Sequence, residues 1–174
     1  FSESFEIGID PRWETTAADL QAQWELATEI GEELSFTHDL IRRIRSIREQ
    51  GSSISERAIA AGHGTEIQES WTRASEKLTA LEEELIQTRN QSRQDPINFP
   101  PMLDNQLAYL YSNVISAGSR PNQGAYQRFE DLKAEVEIHA ENLREIEGEE
   151  LARFLQELND LGVERMILPD LSRR

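Results

Sequence analysis

"LQAQWELATEIGEELSFTHDLIRRI", Leu20 to Ile44, decides the fold class. Leu20, Ala27, Leu34 and Ile41 recur every seven residues, and Ile30, Thr37 and Ile44 fill a second seam position beside them. A seven-residue apolar repeat is the face of a helix that packs on other helices. Trp24 widens the stripe. Thr15 or Thr16 offers a hydroxyl cap, and Asp19 sets a negative charge at the positive end of the helix dipole. The spacing predicts a helix from there to about Glu49, on the order of 50 Å long. "QGSS" should end it, with Gly51 as a left-handed cap.

Working outward, three more segments carry the same signature. "SERAIAAGHGTE" is helical in composition until Gly62 and Gly64 weaken it. From Thr65 the stripe Ile67, Trp71, Ala74, Leu78, Leu81, Leu85, Thr88 is strongly amphipathic, and that helix should stop near Gln91 to Arg93. A third helix is expected from about Pro101 to Ala117, with Leu103, Leu107, Leu110 and Val114 inward and Gly118 as cap. A fourth begins near Asn122 and puts Ala125, Phe129, Leu132, Val136, His139, Leu143 and Ile146 on one face. A short fifth, Glu149 to Leu161, carries Leu151, Phe154, Leu155 and Leu158 and ends at Gly162. "VERMILPDL" reads as a short extended tail. Short connections between striped helices predict an all-α fold, an up-and-down bundle of about four long antiparallel helices plus a short C-terminal helix.

Between the second and third helices lies "QDPINFPPMLDNQLAYLY", Gln94 to Tyr111. Pro96, Pro100 and Pro101 donate no amide hydrogen, and each biases the preceding residue away from helix. Asp95 and Asn98 can bond nearby backbone N–H groups. The segment reads as a rigid corner, with Phe99 and Ile97 placed to plug the end of the bundle.

Bulk properties narrow the function classes. One domain accounts for 174 residues. Eighteen basic against 33 acidic residues leave a net charge of −15, a field that repels nucleic acid. No apolar run approaches the roughly 20 residues of a helical membrane span. Without cysteine there are no disulfides, thiolate metal sites or cysteine nucleophiles. The chain opens at Phe1 with neither an initiator Met nor a signal peptide, and is read as a processed chain or a piece of a longer one. Phe5, Ile7 and Ile9 alternate with polar residues and Gly8, the period of a half-buried strand. Residues 1–12 are therefore expected to be the end of a preceding β segment with its linker, and residues 13–174 the helical domain. An extended arm packed on the helices is the other reading.

Five stretches in order carry a family likeness: "DPRW", "IRRIRSIREQ", "QDPINFPPMLDNQLAYLY", "SAGSRPNQGAYQRFEDL" and "LNDLGVERMILP". Together they resemble the C-terminal helical region of bacterial sortilin-like, Asp-box (BNR-type) β-propeller proteins, often labelled glycosyl hydrolases. The resemblance runs roughly from Asp10 to Pro169. Its most specific part is the proline-rich run from Gln94 to Tyr111. "GSSISERAIAAGHGTE" is longer and more glycine-interrupted than the family pattern. The resemblance implies an exported protein in which a propeller and a β-sandwich-like segment precede the helices. Those preceding domains would be the partners of this one. It carries no catalytic residue onto this chain.

The residues themselves offer little chemistry. "LEEEL" and "EGEEL" read as solvated helix faces rather than as a glycosidase pair across a cleft. Glu135 and His139 lie four apart, not at the Glu-x-x-His spacing of bundle metal sites, and His38 beside Asp39 is no better. His139 falls on the core stripe and reads as a buried, hydrogen-bonded histidine, His63 as a loop residue. No nucleophile elbow or phosphate cradle is present. Catalytic, cofactor and metal residues are therefore all assigned as none. Trp24, Trp71, Tyr109, Tyr111, Tyr126 and Phe129 read as mostly core. Arg42, Arg43, Arg45 and Arg48 form the one basic concentration, and their bland role is ion pairing with glutamate-rich neighbouring helices. The functional alternative is a docking patch, so Phe5, Ile7, Ile9, Arg42, Arg43 and Arg45 are the candidate interaction residues. The expected role is a structural or interaction domain. The alternatives are an accessory domain completing a propeller hydrolase and a free-standing helical adaptor.

Overall fold

The heptad stripe forms a helix longer than its spacing implies. Helix α1 spans Ala17–Ala60 in a computed structural model that describes residues 2–5, 8–12, 14–92, 94–162 and 166. Its start is a reciprocal cap: the Thr16 hydroxyl accepts from the Asp19 amide, and the Asp19 carboxylate accepts from the Thr16 amide. Two N–H groups that a helix start leaves open are thereby satisfied. Gly51 does not end the helix. It lies buried inside α1, where the missing side chain makes room for an aromatic ring. A Cβ built on Gly51 would fall 2.1 Å from two atoms of the Trp71 indole. The glycine that stops α1 in the left-handed region is Gly62, at φ 92°.

Helix α2 covers Gly64–Leu85 and buries Ile67, Trp71, Ala74, Leu78, Leu81 and Leu85. It ends before the expected Gln91 to Arg93, because Ile86 turns to extended backbone, and Thr88 is exposed. Helix α3 is Leu103–Ser116, closed by Gly118 at φ 56°. Helix α4 is Gln123–Ile146, its first turn capped by Asn122, whose side-chain oxygen accepts from the Ala125 amide at 2.9 Å.

The expected fourth and fifth helices are one rod. A single π turn, Glu147–Leu151, joins α4 to α5, Ala152–Asp160. Spacing explains it. The buried residues Leu143 and Ile146 are followed by Leu151, Phe154 and Leu158, so one step in the stripe is five residues wide. An α-helix would rotate Leu151 off the core. One i→i+5 turn absorbs the extra residue and keeps both halves of the stripe inward.

Contacts fix the topology as an all-α bundle. Gln23 donates to the Val114 carbonyl and Thr15 to that of Gly118, while His38 faces Asp104, so α3 runs antiparallel to the first half of α1. Glu82 reaches Arg45 and Arg48, and Trp71 faces Gly51, so α2 runs antiparallel to the second half. Helices α2 and α3 thus lie end to end along α1. The α4–α5 rod is antiparallel to both, through Arg128 with Gln106, Lys77 with Glu150, and Ser70 with Glu157. It is therefore parallel to α1. The result is two long rods and a third that is broken in the middle. Because two rods pack on α1, its buried face is wider than the seam and includes Leu26, Glu33, Leu40 and Ile47.

The proline segment is the break in that third rod. It does not plug the end of the bundle. Glu82 near the end of α2 and Asp104 at the start of α3 sit over neighbouring stretches of α1, so the described residues between the two helices, 86–92 and 94–102, loop out from mid-bundle and return. The loop satisfies itself. Asp95 accepts from the Ser92 amide and hydroxyl at 2.6 and 2.9 Å, and Gln87 donates to the Pro100 carbonyl at 3.0 Å. Phe99 is half-buried under the Arg89 guanidinium, 4.7 Å from its ring centre. Ile97 is 86% exposed. Held outside the bundle, it meets no core.

No strand occurs among the described residues. The strand expected over Phe5 to Ile9 includes Glu6 and Ile7, which lie outside them. Most of the expected tail does too, although Met166 packs against the core.

Candidate functional site

The arginine run of α1 meets the break in the third rod and the π turn of the second at one level, a polar waist. Arg43 donates through Nε and Nη2 to the two oxygens of Glu147, the first residue of the π turn, at 2.6 and 3.0 Å. Both side chains are largely shielded, at 12% and 19% exposure. Glu82 is buried and receives Arg45 on one oxygen and Arg48 on the other, each at 2.6 Å. Two-pronged and charge-assisted contacts of this kind are the strong members of their class. Arg42 pairs with Asp39 on its own helix and is exposed. Of the three candidate docking arginines, then, Arg43 is enclosed in the bundle, Arg45 is half committed to Glu82, and Arg42 faces solvent.

Asp104 completes the waist from α3. Its carboxylate lies 3.9 Å from His38 Nε2. Burial pushes its carboxyl above the ordinary value, against the opposing pull of the Asn105 amide, His38 and Arg45. At the start of α1, Asp19 is held down to about 2 by the Thr16 hydroxyl, Arg120 and the Thr16 amide.

Two grooves flank the waist. The larger, about 760 Å³, opens between α1 and α4 and is lined by Glu29, Glu32, Asp39 and Arg42 of α1 and by Phe129 and Lys133 of α4. The smaller, about 370 Å³, lies between α2 and α4 and includes Lys77, Glu84, His139 and Glu149. His139 is half-buried there, and its Nδ1 meets no hydrogen-bond partner among the described residues. It is not the bonded core histidine its position on the stripe implies. His63 is exposed, as expected for a loop residue. Among the described residues no three metal-ligating side chains converge, and no helix is long and apolar enough to cross a membrane.

The apolar candidates lie away from the waist. Phe5 is 85% exposed and Ile9 43%, while Ile7 lies outside the described residues. Trp24 and Tyr109, read as core by spacing, are 69% and 71% exposed. Trp71 and Phe129 are buried as expected, and Tyr111 and Tyr126 are partly so. Sequence reasoning missed Glu82 and Glu147 as the arginines' partners, having placed both acidic runs on solvated faces. A signal was present. Glu82 is four residues after Leu78 and three before Leu85, and Glu147 is four after Leu143, so each occupies a stripe position.

No protein family model, curated protein or solved structure matches this chain.

Proposed function

We propose that this bundle is a non-catalytic structural and interaction module. The observation that carries the reading is how its chemistry is distributed. The shielded charges at the waist are all paired, Arg43 with Glu147 and Glu82 with Arg45 and Arg48, and these pairs tie the rods together. Large apolar side chains, Phe5, Trp24 and Tyr109, stand in solvent instead. Exposed aromatic side chains are the type enriched where one protein surface contacts another. The finer setting, the C-terminal region of an exported sortilin-like propeller protein, rests on the motif resemblance. In that setting the arm bearing Phe5 and Ile9 would dock on the preceding β domain of the same polypeptide.

The test is a binding titration of residues 1–174 against the separately produced polypeptide encoded upstream of Phe1, repeated with a Phe5→Asp/Ile9→Asp variant. Saturable binding, weakened roughly tenfold or more in the variant, is expected if these side chains are anchors. Equal binding by both proteins would remove the arm from the interface. Turnover of a glycoside by the 174-residue chain alone would contradict the non-catalytic reading.

A further inference from the structure

Two of the three rods lose their regularity at the same level of the bundle, and ion pairs sit at both irregular points. We infer that the molecule is built as two units hinged at the waist, with α1 as a shared spine and the arginine–glutamate contacts as latches. The distal unit comprises the second half of α1, α2 and the π turn with α5. The proximal unit comprises the first half of α1, α3 and most of α4.

Each unit has its own cross-ties. In the proximal unit Thr15 holds Gly118 at 2.7 Å, Gln23 holds Val114 at 2.6 Å and Arg120 holds Asp19 at 2.8 Å. In the distal unit Lys77 holds Glu150 at 2.6 Å, and Trp71 stacks at a tilt on Phe154 with ring centres 5.1 Å apart. Helices α2 and α3 touch only slightly at their facing ends. What spans the boundary, besides α1 itself, is the run of α4 into the π turn and the packing of the last turns of α2 on the end of α4. Mid-helix π turns are where helices kink, and mid-helix irregularity often marks a hinge. Glu147 begins that turn and Glu82 lies in the last turn of α2. Each latch therefore ties the spine to the place where a neighbouring rod is weakest. Removing a latch leaves a shielded charge without its partner, and the opening it permits should stay within the distal unit.

Amide hydrogen exchange on the whole chain, wild type against Glu147→Gln, tests this. In the variant, exchange in residues 64–85 and 147–160 should rise roughly fivefold or more, while residues 103–116 and 123–136 stay within about twofold, the pattern of separate cooperative units. Arg43→Lys keeps the charge but not the two-pronged contact. It should give the same contrast at smaller size, and it reads the contrast should Glu147→Gln not fold. A uniform rise across all four segments, or no change in any, would show one cooperative block without a hinge.

Discussion

Replacing Gly51 by alanine should destabilise the protein, although alanine is the better helix former. Propensity alone favours Gly51→Ala by about 1 kcal/mol in a helix interior. Against it stands the indole of Trp71, with two ring atoms 2.1 Å and a third 2.7 Å from where the new Cβ would sit. The ring has little room to retreat, because it is 7% exposed and packs on Phe154. Overpacking of a filled core costs about 1–3 kcal/mol, and a clash this deep belongs at or beyond the upper end. The net expectation is a loss of about 2 kcal/mol, or a fall in Tm of about 4–8 °C for a chain of this size. Urea and thermal melts followed by far-ultraviolet dichroism would measure it. A companion variant isolates the cause. Trp71→Phe removes the outer indole atoms that face Gly51, so adding Gly51→Ala to it should cost less than Gly51→Ala costs in the wild type. Unchanged or raised stability of the single variant would refute the close approach of the two helices at this point.

Gly148→Ala is the control with the opposite sign. Gly148 is exposed in the π turn, with nothing within 4 Å of where an added methyl group would sit, and the substitution should raise stability by about 0.5–1 kcal/mol in the same melts. Phe154→Ala should cost about 3–5 kcal/mol because the ring is fully buried, whereas Ile97→Ser, on the looped-out segment, should stay within about 0.5 kcal/mol. For pH, Asp19 titrates at about 2 in the folded protein against an ordinary 3.8. The unfolded chain therefore takes up the proton first, and the contribution of Asp19 is present above pH 3.8 and lost as pH falls towards 2. Asp104 acts in reverse, since its raised value makes the folded state hold the proton more tightly. Comparing pH–stability profiles of Asp19→Asn and Asp104→Asn should show the first flattening the acid limb and the second removing a loss that sets in as pH rises above the ordinary carboxylate range.

The helical class was legible because seam positions such as Ile30, Ile44, Leu78 and Leu132 repeat along the chain and all are buried. Glycine was harder to read. Gly51 and Gly62 look alike in sequence, yet one serves a neighbouring ring and the other a left-handed turn, and only the packing partner distinguishes them. The slip from Ile146 to Leu151 looked like the end of one helix because a five-residue step breaks the α period, while the backbone bridges it with one π turn. Register between helices was not legible either. Trp24 and Tyr109 lie near the stripes of their own helices, and their exposure depends on which rods α1 and α3 face. The arginine run pointed correctly to acidic neighbours, but the charge of Glu82 and Glu147 concealed that both sit on stripe positions. Phe5 and Ile9 remain readable only as apolar residues in need of a surface.

Everything proposed for the waist depends on α1 and the α4–α5 rod running parallel, with α2 and α3 end to end between them. The chain has no cysteine, so paired spin labels can be introduced cleanly at the exposed Gln21, Gln127 and Gln156 and their separations measured by pulsed electron resonance. Parallel rods place Gln21 beside the start of α4, so the Gln21–Gln127 distance should fall below about 30 Å given ordinary interhelix spacing. The Gln21–Gln156 distance should be about 45 Å or more, because a helix rises about 1.5 Å per residue between positions 127 and 156. The reverse order, with Gln156 the nearer of the two, would mean that α1 and α4 are antiparallel and that the waist does not exist.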